Sequence, residues 1–191
     1  MHGSLGRIAI GSEAVGRNSF EGKEGHKGDE IFSDYADMNP GRIPAISVWQ
    51  PWASMIAAGM KPFEIRSWHP PVKFMYRPIA IHAAMKPETK SVIRGLLDAY
   101  QNTAAMPVIE AALRAELPRG EVLCTVAINS VIPSDEAVDP LTRKHFQPGG
   151  FAWQFDIVEL FPNPVPARGM QGFWKWTYNP AGRRAEQGAL L

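Results

Sequence analysis

Apolar and polar positions alternate in short blocks along most of the chain, and these blocks predict strands more often than helices. Ala45–Val48 is a brief apolar run that reads as a strand. After Gln50-Pro51 the period changes. Trp52, Met55, Ile56 and Gly59 fall at i, i+3, i+4 and i+7, which gives a short helix one buried face. Proline suits the first helical position because no N–H is needed there, and Gly59 is a natural terminator. Phe63, Ile65 and Ser67 then alternate with Glu64, Arg66 and Trp68, as in a half-buried strand. Pro78–Ala83 predicts a third strand. Helical spacing returns from Pro87 to about Gln101, with Val92, Ile93 and Leu96 or Leu97 on the apolar side, and again over Val108–Leu117. Gly120–Val131 and Phe151–Leu160 are the strongest strands, rich in β-branched and aromatic residues. The following FPNPVPARG reads as a loop or edge segment, because proline cannot donate to a ladder. Phe173–Trp176 is expected to close the core with indole rings.

Strands outnumber helices and lack regular βαβ alternation. The predicted fold is α+β: a small mixed β-barrel flanked by helices. Residues 1–43 carry Gly, Ser and charge without a sustained period and read as a flexible N-terminal extension, with Ile31, Phe32 and Tyr35 as possible docking points. The domain itself is expected over 44–178, followed by a flexible tail over 179–191.

Composition narrows the function classes. The 191 residues are 45% hydrophobic and 20% charged, ordinary for a globular protein, and the formal net charge is +1. That excludes a histone-like binder held by bulk charge. Residues 1–43 hold 5 Lys/Arg and 7 Asp/Glu, against 15 and 12 in the remainder, so the folded part is mildly basic. Cys124, the single cysteine, rules out an internal disulfide or a multi-cysteine zinc site, and its VLCTV setting predicts a buried, inert thiol. No secretory h-region and no membrane-length apolar run is present, so a cytoplasmic location with no membrane partner is expected. His2, His26, His69 and His145 show no ligand spacing, and no metal is predicted. Phosphate-loop and dinucleotide fingerprints are missing, Ser67 and Ser134 have no convincing triad partners, and no cofactor is expected.

Lys61, Glu64 and Arg66 are the leading chemical candidates. They follow the predicted helix terminus within seven residues of Gly59. Glu64 and Arg66 share one strand face, and the same two-residue period adds Trp68. An ammonium, a carboxylate, a forked guanidinium and a stacking plane suit a phosphate or a nucleobase. A solvated charged strand face would show the same pattern. His82 falls on the face opposite Ile79 and Ile81, with the Lys–Glu–Arg strand as a candidate neighbour. It is either a proton carrier near neutral pH or a hydrogen-bonded structural histidine. Lys73, Arg77, Arg168 and Lys175 are candidates for a phosphate track, with loop solvation as the ordinary alternative. Among the tryptophans, Trp52, Trp153 and Trp174 read as core, Trp49 and Trp176 as core or rim, and Trp68 as the stacking platform.

ISVWQPWASMIAAGMKPFEIRSW, over Ile46–Trp68, resembles the opening of an ASCH domain, part of the PUA-like superfamily. The marker Gly-x-Lys-x-x-Glu-x-Arg is carried by Gly59, Lys61, Glu64 and Arg66. Gln50-Pro51-Trp52-Ala53, the Pro78–Ala83 strand and Gly169–Trp174 (GMQGFW) extend the match over about Ile43 to Tyr178. The resemblance implies a β-barrel with a cleft beside the marker and a role in binding RNA or other nucleic acid. Lys61, Arg66, Trp68 and Arg168 would be the contacts, and the partner would be RNA or another single strand. It also implies a hydrolytic alternative. A ribonuclease would use Glu64 or His82 as base, with Lys61 and Arg66 on the phosphorane. An amidohydrolase would act on a modified nucleoside, as in a branch with a Lys-x-x-Thr motif. Here Lys61 is kept but Glu64 stands at the threonine position.

Overall fold

The computed structural model describes residues 42–177. The expected N-terminal extension, apart from Arg42 and Ile43, and the C-terminal tail lie outside the described residues, as do Ile31, Phe32 and Tyr35. The elements, in chain order, are β1 (Arg42–Val48), α1 (Trp52–Ala57), β2 (Phe63–Arg66), β3 (Pro78–Ala83), α2 (Lys90–Ala99), α3 (Met106–Leu113), β4 (Glu121–Pro133), β5 (Phe151–Pro166) and β6 (Phe173–Thr177). The strands form one mixed sheet in the order β2-β5-β4-β3-β1-β6. Among the described strands only β1 and β3 run parallel, with Ser47 beside His82 in register.

Both faces of this sheet are buried. Ile46, Val48, Ile79, Ile81, Val126, Ile128 and Trp153 form one core with Ala53 and Ile56 of α1. On the reverse face Ile43, Ala45, Ala80 and Val122 pack with Phe161, Trp174 and Trp176. The indoles of β6 thus occupy the core as expected. A third cluster joins α2 and α3 through Ile93, Tyr100 and Ile109 to Met55 of α1. Cys124 is fully buried between sheet neighbours, and burial pushes its thiol up to about 12.

The expected closed barrel is not formed. Three register shifts along the β4–β5 ladder coil the sheet, because each bulge adds local twist. Coiling brings β2, at one end of the strand order, back toward β1, the fifth strand. There the Arg66 side chain donates from Nη2 to the Ser47 carbonyl at 2.9 Å. No β1–β2 backbone ladder accompanies that contact among the described residues: β2 pairs with β5, and β1 with β3 and β6. The sheet therefore curls into an open seam bridged by a side chain.

Two local devices stand out. Pro51 is the N-cap of helix α1, one residue before the first helical position, and the preceding Gln50 braces the first turn: its Oε1 accepts from Ser54 N at 3.0 Å while its Nε2 donates to Pro118 O at 2.8 Å. The proline-rich run takes the edge form of the two expected, since β5 continues to Pro166 and pairs there with β4 alone. Pro162 and Pro164 sit where the ladder jumps from Leu160 to Val165, so neither must supply a ladder N–H.

Candidate functional site

The seam between β1 and β2 holds a cavity of about 420 Å³, lined by Ser47, Val48, Trp49, Trp52, Lys61, Glu64, Ile65, Arg66 and Phe146. Each wall has a local cause. Gly59 takes φ +68°, a left-handed turn with open space around it, and the amides of Met60 and Lys61 both reach back to Met55 O, at 2.8 and 3.2 Å. That turn places Lys61 at the start of β2. In β2, Glu64 stands opposite Trp153 and Arg66 opposite Phe151, so both side chains share the inner face of the coil.

The three marker side chains converge. Lys61 Nζ lies 2.9 Å from Glu64 Oε2 and also donates to Phe63 O. Arg66 Nε lies 3.1 Å from Glu64 Oε1, an ion pair whose Nε–H is not aligned as a hydrogen bond. Lys61 and Glu64 are 7% and 8% exposed, so this is a buried network and not the solvated strand face that the pattern also allowed. Two cations against one carboxylate leave a formal surplus of one positive charge. Lys61 spends two of its three N–H donors on Phe63 and Glu64. The cavity wall therefore has spare donors, and each Glu64 oxygen already faces a cation.

Its aromatic side comes from two tryptophans beside the marker and one distant phenylalanine. Trp49 is 41% exposed, with Lys86 Nζ 5.2 Å from its ring centroid, and Trp52 is half-buried at the cavity instead of filling the core alone. Phe146 arrives from the long connection between β4 and β5. A buried carboxylate shapes that connection: Asp139 Oδ1 accepts from Leu141 N at 2.8 Å and Thr142 N at 3.0 Å, and Oδ2 accepts from the Tyr100 hydroxyl. Burial and then this bond raise the Tyr100 phenol well above its usual range. Phe146 N donates to Ala137 O at 3.2 Å, and the ring meets Phe63 edge-on at 6.4 Å. Trp49 and Trp52 flank the Gln50-Pro51 step and were visible next to the marker. Phe146, about eighty residues further on, had no local signal.

Three expected site residues lie elsewhere. Trp68 is turned into the core, edge-on to Trp153 at 4.8 Å and Phe173 at 5.7 Å. β2 ends at Arg66, and the two-residue period fails at the bend over Ser67 and Trp68. His82 is 1% exposed on the reverse face, edge-on to Trp174 at 5.5 Å. Its register partner Ser47 separates it from the triad, so it does not join Lys61 and Glu64. Arg168 is exposed on the β5–β6 loop, outside the cavity lining. Lys73, Arg77 and Lys175 also lie outside that lining. No group of three His, Cys, Asp or Glu side chains able to hold a metal occurs among the described residues. No described helix is long and apolar enough to cross a membrane.

Fold and site define a small α+β domain whose coiled sheet leaves a cation-lined, aromatic-walled cavity at its seam. The model of the ASCH domain matches residues 46–163, and the chain belongs to that family, whose members are associated with nucleic acid. Among solved structures, the ASCH protein of Zymomonas mobilis is 13% identical with a TM-score of 0.40, over 77% of this chain and 94% of that one. A mutant of the same Zymomonas mobilis protein gives 14% and 0.38, over 77% and 96%. No curated protein matches the sequence.

Proposed function

We propose that this ASCH domain binds an unpaired stretch of RNA, seating one nucleotide unit in the β1–β2 cavity. Lys61 and Arg66 face the phosphate, Glu64 holds the two cations apart, and Trp49, Trp52 and Phe146 flank the base. The observation that carries this reading is the convergence of the marker triad on a cavity with aromatic walls. Its volume falls in the range of small-ligand sites and excludes a duplex. Stacking thus passes from Trp68, the expected platform, to Trp49 and Trp52. The hydrolytic alternative needs a free base near the ligand. Glu64 is engaged by two cations and His82 is walled off behind Ser47, which favours binding over turnover.

Fluorescence anisotropy with a labelled single-stranded RNA tests the proposal. Affinity should fall with salt, with a log–log slope of about −0.7 for each phosphate neutralised. A Lys61→Ala, Arg66→Ala double variant should bind at least about tenfold more weakly, since each charge-assisted contact contributes roughly 1.5–3 kcal/mol. Salt-independent affinity, or wild-type binding by the double variant, would end the proposal. Incubation with total RNA in the absence of metal probes the alternative. New cyclic-phosphate termini that vanish in Glu64→Gln would establish catalysis.

A further inference from the structure

The reverse side of Ser47 carries a hydrogen-bond chain that the proposed binding does not use. His82 Nε2 lies 3.1 Å from Ala167 O, and His82 Nδ1 lies 3.1 Å from Ser47 Oγ. Ser47 Oγ in turn donates to Met170 O at 3.0 Å. Ala167 and Met170 belong to the loop between β5 and β6, so one imidazole and one hydroxyl pin that loop across the end of β1. Gly169 fits between them only because it lacks a side chain. A Cβ there would stand 2.3 Å from His82 Cε1 and 2.7 Å from Ser47 Oγ.

The proton count makes this contact sensitive to charge. A carbonyl only accepts, so Nε2 carries a proton and neutral His82 presents a bare Nδ1. The Ser47 hydroxyl then has one proton for two acceptors, Nδ1 and Met170 O. A second imidazole proton would complete the chain but would place a cation in a site where the contacts among the described residues offer no counter-charge. From β1 comes Ser47, from β4 the register partner Val122, from β6 Trp174, and from the loop the Ala167 carbonyl and Gly169. Arg168 and Lys175, the charged residues on that loop and on β6, are exposed. Burial lowers the His82 pKa, and the Ala167 bond only partly offsets it. A buried unpaired charge costs more than one added hydrogen bond returns.

We propose that His82 and Ser47 form a proton-released latch: neutral His82 holds the β5–β6 loop closed on β1, and protonation frees it. Resting on the RNA-binding reading, the latch regulates that same cavity. Ser47 lines the cavity and its carbonyl receives Arg66, so releasing its hydroxyl loosens the cavity wall, and the freed loop takes Arg168 with it.

Backbone hydrogen exchange on the full chain, corrected for intrinsic rates, tests the latch without ligand. Between pH 7.5 and 5.5, exchange across 167–172 should accelerate by up to about tenfold per pH unit below the ordinary imidazole value of 6.5, levelling off only once the lowered pKa of closed His82 is passed. His82→Gln, which can still donate to Ala167 O and accept from Ser47, should keep the loop protected at both pH values. Nuclear magnetic resonance titration of wild-type His82 supplies a readout that needs no variant. Equal or slower loop exchange at the lower pH would overturn the latch. RNA affinity should fall with loop opening, and unchanged affinity while the loop opens would overturn the regulatory link. PH-dependent loop exchange in a protein that binds RNA at neither pH would support the latch while removing the RNA-binding reading.

Discussion

Ser47 divides two polar clusters that solve the problem of burial differently. On its carbonyl side, buried Lys61 and Glu64 and half-buried Arg66 pair their charges around one carboxylate. On its hydroxyl side, His82 is as buried but, among the described residues, meets uncharged groups. The first arrangement keeps its charges and retains spare donors, so it can hold an anion. The second stays intact while the imidazole is neutral, so it responds to pH. Pairing makes a site; the lack of a counter-charge makes a switch.

The contrast can be broken most forcefully from the apolar ground between the clusters and the core. Trp68→Ala should cost roughly 3–4 kcal/mol in chemical denaturation, since it empties space against Trp153 and Phe173. RNA affinity per folded molecule should survive it. Weakened RNA binding with little stability loss would return Trp68 to the site. Glu64→Ala should cost about 3 kcal/mol, because it leaves buried Lys61 and half-buried Arg66 without their shared partner. A cost within 0.5 kcal/mol, roughly that of a surface change, would mean the triad is solvated after all.

Smaller effects sharpen the distinction. Gly169→Ala should lower stability by about 2 kcal/mol, an overpacking cost, and should unpin the β5–β6 loop at neutral pH. Trp49→Ala should leave the melting temperature nearly unchanged and weaken RNA binding by roughly 1–3 kcal/mol, the usual worth of one stacked base. The least effect is on global stability against pH. His82 has a lowered pKa in the fold, so near 6.5 the native state binds fewer protons than the unfolded chain. Stability therefore rises with pH through that region, and it declines from 6.5 downward until the lowered folded value is passed. His82→Gln should flatten this slope when denaturation midpoints are compared across pH.

Element by element, the period of the chain was a good guide wherever an element ran its expected course. The apolar blocks at Ala45–Val48, Pro78–Ala83 and Phe151–Leu160 all lie in strands, the last reaching Pro166 because the prolines fall in a ladder gap. The marker residues Lys61, Glu64 and Arg66 were legible because a helix stop and a two-residue period act over short distances. Trp68 was misplaced by the same logic carried two residues too far, past the end of β2.

Sequence alone determined which residues could form each helix and strand, and it put two cations and a carboxylate within six positions of one another. Those are local consequences of side-chain period and backbone stereochemistry. Tertiary structure decided that the sheet coils without closing, that Phe146 joins Trp49 and Trp52 at the seam, and that His82 turns its back on the triad. The first depends on how bulges along β4 and β5 accumulate twist, the second on the Asp139-held connection, and the third on the pairing of β3 with β1, all of them relations between segments far apart in the chain.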